Sequence, residues 1–282
     1  MNIEEQYLCT LLTALFTLQA AALMNTIEDL IKGTMRPVVI AHRGASHYFH
    51  ENTMEAFKTA LDMQAEMIEL DVRRTADSVL VVHHDHDIAG DKIMDMTRTE
   101  LKERSVSAGY SIPTLVEVLE FCANKISVDI ELKDAGYEEQ VIDTILGILG
   151  PEQFIITSIH DTVIRKVKDL QPGIRTGFIL SSRPRWQLLT KLYPGVRARR
   201  AGADILVASQ KLLKLGFLST TSHLGLPVWI YTVNDRKELW NMITEERIGG
   251  IFTDRPDVAM FLRDLYAVAR NKEMPPSIKV SD

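Results

Sequence analysis

Met67-Ile68-Glu69-Leu70-Asp71-Val72-Arg73-Arg74-Thr75-Ala76-Asp77-Ser78-Val79-Leu80-Val81-Val82-His83-His84 is the stretch whose spacing decides the fold. It holds two strand-like apolar runs, 67–72 and 79–83, with six residues between them. A parallel crossover needs about a dozen residues or more, so the second run must return antiparallel, as a hairpin. Seven further strand-like runs lie at 38–41, 127–132, 154–158, 175–180, 204–208, 228–233 and 250–253. Helical periodicities separate them, at 52–63, 115–122, 138–149, 162–170, 184–193, 211–218, 236–244 and 256–269. With the hairpin strand set aside, eight strands alternate with helices, the count of a (β/α)8 TIM barrel. The expected organisation is an N-terminal helical extension over residues 1–34, a barrel over 35–270 carrying a β-hairpin after its second strand, and a tail over 271–282.

Local signals agree with this reading. Asn52 with Glu55, and Thr114 with Glu117, have the spacing of capping boxes that open helices. The net charge of −6 provides no general attraction for nucleic acid or anionic membranes. Two cysteines, Cys9 and Cys122, suggest neither a disulfide framework nor a zinc site. Residues 7–24 are largely apolar but contain Thr10, Thr13, Thr17 and Gln19, and they follow Glu4 and Glu5 rather than a basic segment. An extension packed on the body is the expectation for this run, and cytoplasmic residence for the protein. A membrane anchor through residues 7–24 and an export signal are the alternatives.

Charged residues stand at the strand ends. Val38-Val39-Ile40-Ala41 runs into His42, Arg43 and Gly44. Strand side chains alternate faces, so Glu69 and Asp71 share one face, and Asp129, Glu131 and Lys133 share another. Carboxylates on a buried face are costly unless they are paired or bind a metal. Active sites of such barrels lie at the C-terminal strand ends, and the topology gathers these groups there. Three acids suit a cation, two histidines suit proton transfer, and Arg43 with Lys133 suits an anion. Asp129 lies deeper and is expected to be structural, as are His47, His50, His83, His86, His160 and His223.

The ordered set His42-Arg43-Gly44-Ala45, Glu51-Asn52-Thr53, Ile68-Glu69-Leu70-Asp71-Val72, Val81-Val82-His83-His84-Asp85, Ile112-Pro113-Thr114-Leu115, Ile130-Glu131-Leu132-Lys133, Thr232-Val233-Asn234 and Phe252-Thr253-Asp254-Arg255-Pro256 resembles the glycerophosphodiester phosphodiesterase family. The resemblance implies a (β/α)8 barrel. It also implies His42 and His84 as general acid and base, and Glu69, Asp71 and Glu131 as ligands of one divalent cation, Mg2+ or Ca2+. Arg43 and Lys133 would contact phosphate. The family often places tryptophan before Thr-Val-Asn. Here Tyr231 stands there, with Trp229 two residues earlier, and both are expected to form an aromatic wall for substrate. The implied substrate is a small glycerophosphodiester, with sn-glycerol 3-phosphate and an alcohol as products. Water and the glycerol C2 hydroxyl both remain open as nucleophile, with His42 favoured as base. Lysophospholipase D activity at the same site is one alternative, and a silent barrel that binds phosphate esters is another. The short segment 85–112 argues for an open mouth.

Overall fold

The computed structural model describes residues 37–181, 194–213, 216–223 and 225–271. The expected N-terminal extension, including residues 7–24, the helical pattern at 184–193 and the tail beyond residue 271 lie outside the described residues. In chain order the strands are β1 (Val38–Ala41), β2 (Met67–Arg74), β3 (Leu80–Val82), β4 (Asp87–Ile88), β5 (Asp91–Lys92), β6 (Ser127–Leu132), β7 (Phe154–Ser158), β8 (Thr176–Leu180), β9 (Ile205–Ser209), β10 (Val228–Tyr231) and β11 (Ile248–Thr253). The helices are α1 (Met54–Asp62), α2 (Arg98–Ser107), α3 (Leu115–Cys122), α4 (Glu138–Leu146), α5 (Asp161–Leu170), α6 (Pro194–Ala201), α7 (Phe217–Ser222), α8 (Arg236–Ile243) and α9 (Pro256–Asn271).

Eight strands close a parallel barrel in the order β1-β2-β6-β7-β8-β9-β10-β11, with β11 pairing back onto β1. As the six-residue spacing requires, β3 runs antiparallel to β2, with Val72 opposite Val82. The period of two sorts the side chains. Ile68, Leu70 and Val72 face the helices, while Val38, Ile40, Met67, Ile155, Ile205, Val207, Trp229 and Phe252 pack together inside the barrel. This apolar plug makes the lower interior a core, and polar residues at the same inward-facing positions continue above it.

Trp229 belongs to that plug. It is fully buried and packs near Phe252, and it does not join Tyr231 on the cavity wall. Gly250 makes room for it, because a Cβ at that position would come within 2.8 Å of the indole ring.

Three local details differ from expectation. Thr53, not Asn52, caps α1, its hydroxyl accepting from the Ala56 amide. Asn52 adopts a left-handed backbone with φ 57° and turns its side chain toward β2. The 211–218 pattern divides into a 3-10 turn (Gln210–Leu212) and α7. In the segment after His84, where the sequence reading places no element, β4, β5 and α2 form a flap with its own small core of Val81, Ile88, Ile93, Met96, Leu101 and Ile112.

Candidate active site

The mouth is assembled from strand ends. His42 and Arg43 follow β1, Glu69 and Asp71 lie on β2, Glu131 lies on β6 with Lys133 just beyond, and His84 follows β3. Register brings the acids level, with Asp71 opposite Glu131 and Glu69 opposite Asp129. One cavity of about 310 Å³ is lined by His42, Arg43, Glu69, His84, Asp129, Glu131, Lys133 and Tyr231, among others.

Local sequence explains how the side chains are held. Gly44, at φ +83°, lets the chain turn sharply after His42, and no Cβ would fit there against Ala56. The turn is pinned by the Gly44 amide donating to the Ala41 carbonyl at 3.2 Å and the Ala45 amide donating to Ala56 at 2.9 Å. The Arg43 amide donates to Glu69 Oε2 at 2.8 Å, while its guanidinium donates to both Glu51 oxygens at 2.8 and 2.9 Å. Arg43 Nε also lies 3.2 Å from Asp71 Oδ2. On the other side Lys133 Nζ sits 2.8 Å from Glu131 Oε1 and 3.2 Å from Asp71 Oδ1. The loop bearing His84 is held by Arg73, whose Nε and Nη2 donate to the His84 carbonyl at 3.0 and 2.6 Å.

One oxygen each from Glu69, Asp71 and Glu131 lies within 4.8 Å of the others. All three residues are buried, and Asp71 Oδ1 is a buried atom without a hydrogen bond. An all-oxygen donor set of buried carboxylates, one oxygen of which meets only the Lys133 ammonium, fits a hard divalent cation.

Electrostatics follow from burial and crowding. Burial, then the charge of Asp71, pushes the Glu69 carboxyl well above the usual range. Burial likewise raises Glu131, against the pull of Lys133. Burial opposes the charge of Asp71 too, but Lys133 and Arg43 outweigh it and hold the carboxyl low. Burial, then Lys133, lowers His84.

The two candidate histidines are arranged alike. Nδ1 of His42 lies 2.7 Å from Asp254 Oδ1, and Nδ1 of His84 lies 2.8 Å from Asp85 Oδ1. Each imidazole therefore has a carboxylate at Nδ1, leaving Nε2 for other work. His83 is buried, its amide donates to the Asp71 carbonyl at 2.9 Å, and its ring packs toward Tyr110. Tyr231 donates to the Leu180 carbonyl at 3.0 Å and stays on the cavity wall. Asp129 also lines the cavity; Thr157 donates to its Oδ1 at 2.7 Å, and Oδ2 is buried without a partner.

Sequence reasoning gave no role to Asp254, to Asn234, whose side chain meets it, or to the contact of Asn52 with Asp71. The resemblance motifs contained all three residues, but their partners lie on other strands and leave no local spacing signal.

A profile of the glycerophosphoryl diester phosphodiesterase family matches residues 42–258. The chain belongs to that family. Membership carries the enzyme class with it, a phosphodiesterase that hydrolyses glycerophosphodiesters. The chain is 32% identical over 246 residues to a glycerophosphodiester phosphodiesterase of Caldanaerobacter subterraneus, covering 81% of this chain and 98% of that one. A glycerophosphodiester phosphodiesterase of Bacillus altitudinis is 31% identical over 255 residues, with 80% and 98% covered. The crystal structure of a Thermotoga maritima glycerophosphodiester phosphodiesterase superposes with a TM-score of 0.66 at 27% identity, covering 82% of this chain and all of that one. An Oleispira antarctica phosphodiesterase, solved in complex with the product sn-glycerol-3-phosphate, shares the fold with a TM-score of 0.69 at 24% identity, covering 81% of this chain and 97% of that one.

Proposed function

We propose that this enzyme is a metal-dependent glycerophosphodiesterase that releases sn-glycerol 3-phosphate and an alcohol, with His42 and His84 as its acid–base pair. The observation that carries the proposal is the convergence of both histidines, Arg43, Lys133, Glu69 and Glu131 on one cavity, with Asp71 grouped against the two glutamates. The product bound by the Oleispira antarctica relative supports the glycerophosphate half of the substrate.

The substrate is an anion that repels nucleophiles, and its transition state gathers charge on the phosphoryl oxygens. Arg43 offers a planar fork to those oxygens and Lys133 a point charge. Glu69, Asp71 and Glu131 would hold the cation, which when bound supplies Lewis-acid neutralisation of that charge. Mg2+ and Ca2+ both suit oxygen donors. His42 takes the proton from the nucleophile, either water, which gives sn-glycerol 3-phosphate directly, or the glycerol C2 hydroxyl, which gives a cyclic phosphate that water then opens to sn-glycerol 3-phosphate. A new P–O bond forms as the bond to the departing alcohol breaks, and His84 delivers a proton to that oxygen. Tyr231 borders the cavity beside these groups.

The test is release of glycerol 3-phosphate from glycerophosphocholine after exhaustive chelation, then with Mg2+ or Ca2+ restored. Turnover that depends on added cation is the expected result. Full turnover in chelator would remove the metal from the mechanism. Turnover of lysophosphatidylcholine but not glycerophosphocholine would replace the proposed substrate with a lysophospholipid.

A further inference from the structure

The carboxylate on His42 comes from the opposite end of the chain. Asp254 follows β11, 212 residues after His42, and reaches it because β11 pairs with β1 to close the barrel. Asp254 is itself firmly held. Its Oδ1 lies 2.7 Å from His42 Nδ1 and 3.1 Å from the Ser46 hydroxyl, which also reaches the His42 carbonyl at 2.8 Å. Its Oδ2 accepts from the side-chain amide of Asn234, just past β10.

Asn234 cannot be turned the other way. Its Oδ1 already accepts from the Asp254 amide at 2.8 Å and from Thr253 Oγ1 at 3.2 Å, which directs its amide nitrogen at the carboxylate. The backbone on both sides is tied as well, with the His42 amide donating to the Thr253 carbonyl at 3.0 Å and the His47 amide to Asp254 at 3.0 Å. The Asn234 amide and the Ser46 hydroxyl donate to this one carboxylate beside His42. It stays ionised, so it accepts a proton in a hydrogen bond from His42 and has none to give.

His84 provides the contrast. Its partner Asp85 is its sequence neighbour, with a side chain 71% exposed, against 28% for Asp254. An exposed neighbouring carboxylate is free to leave. Asp254 is locked by residues from the first loop and the two final strands.

We infer that Asp254 is a positioning residue for the phosphodiesterase reaction: it holds His42 in the tautomer with the proton on Nδ1, so that the Nε2 lone pair faces the cavity. The inference rests on the reading of His42 as the group that takes the nucleophile's proton. An imidazole in the opposite tautomer has no lone pair to offer at Nε2 and cannot act as base from that position. Closing the barrel thus completes the site, because the last strand carries the group that sets the first strand's histidine.

The test combines kinetics with nitrogen NMR of histidine-labelled full-length protein, His42 being assigned by the signal missing from His42→Ala. With its imidazole neutral, His42 should show a protonated Nδ1 and a bare Nε2. Asp254→Asn, nearly isosteric, should lower kcat by at least about 10²-fold while KM changes by less than about threefold. The Nδ1–H signature of His42 should disappear in the same variant, and Asp254→Glu should recover part of the rate. A wild-type His42 protonated on Nε2 overturns the inference, and this holds whether or not the variants fold. So does an Asp254→Asn variant with kcat within about threefold of wild type. Near-wild-type turnover by His42→Ala would instead overturn the underlying acid–base reading, and the wild-type tautomer would still be read independently.

Discussion

The ammonium of Lys133 donates to Oε1 of Glu131 at 2.8 Å, two residues back along the chain. Both side chains are only 11% exposed, so the pair is effectively inside the protein. The same ammonium lies 3.2 Å from Asp71, which makes Lys133 a structural counter-charge beside its proposed contact with phosphate. Breaking a buried pair by removing one partner leaves an uncompensated charge, at a cost of about 3–5 kcal/mol. Lys133→Met should therefore unfold at lower urea concentration than wild type when both are held in chelator. Added Mg2+ or Ca2+ should narrow the gap, since a bound cation serves the same carboxylates. Identical midpoints in chelator would remove the structural half of this role.

His42→Ala and His84→Ala should each lower kcat by at least about 10²-fold, the usual scale for a lost general acid or base. Neither histidine belongs to the hydrophobic core clusters, so both variants should still unfold cooperatively, with His42→Ala melting somewhat lower because Asp254 loses its His42 partner. Wild-type turnover by either variant would remove that residue from the acid–base pair.

The hydrogen bonds at Asp254 should appear in the pH dependence of stability. Burial works against its charge, but donation from His42, Asn234 and Ser46 outweighs it and holds the carboxyl below the ordinary value of 3.8. A group whose folded value is depressed contributes stability that is complete above the unfolded value and is lost as pH falls through the folded one. The stability difference between wild type and Asp254→Asn should thus be constant from about pH 6 to pH 5 and shrink below about pH 4. Urea unfolding in steps across that range measures it. A difference that grows on acidification would show that the carboxyl is not held low.

Most of the barrel and most of the site were legible in the sequence for one reason: both follow period-two patterns within single strands. Glu69 with Asp71, and Asp129 with Glu131, declared a shared face before any pairing was known. The six residues between Val72 and Val79 excluded a parallel crossover. The parts that were missed depend on contacts between distant elements. α2 buries only Leu101 and Ser105 and so shows little periodicity. Its one local signal was the capping box of Thr97 with Glu100. Trp229 shares the inward face with Tyr231, but period two gives the face and not the depth. Its descent into the plug depends on Gly250 of the neighbouring strand. Asp254 meets His42 only through closure of the barrel.

The turn after His42 provides a further check, because backbone strain and steric clash can be measured there separately. At Gly44, φ is +83°, and an added Cβ would stand 2.7 Å from the Ala56 carbonyl carbon and 2.8 Å from its oxygen. Both obstacles are backbone or are fixed by α1, so neither can move aside as a flexible side chain would. Gly109 shares the strain, at φ +90°, but has nothing within 4 Å. Gly173 has neither a positive φ nor a neighbour within 4 Å. An L-residue in the left-handed region costs about 1–2 kcal/mol. Forcing an atom into packed surroundings adds about 1–3 kcal/mol. Gly173→Ala should therefore melt like wild type, and Gly109→Ala should fall by the strain alone. Gly44→Ala should fall furthest, by at least about 4–8 °C at roughly 2–4 °C per kcal/mol for a domain of this size. Turnover should separate the variants more sharply than melting does. Gly44 sits between Arg43 and the pinned Ala45 amide, so displacing it moves both Arg43 and His42, whereas Gly109 lies outside the cavity lining. A Gly44→Ala variant with the melting temperature and kcat of Gly109→Ala would mean that the turn yields freely, and that its contact with α1 does not hold His42 and Arg43 in place.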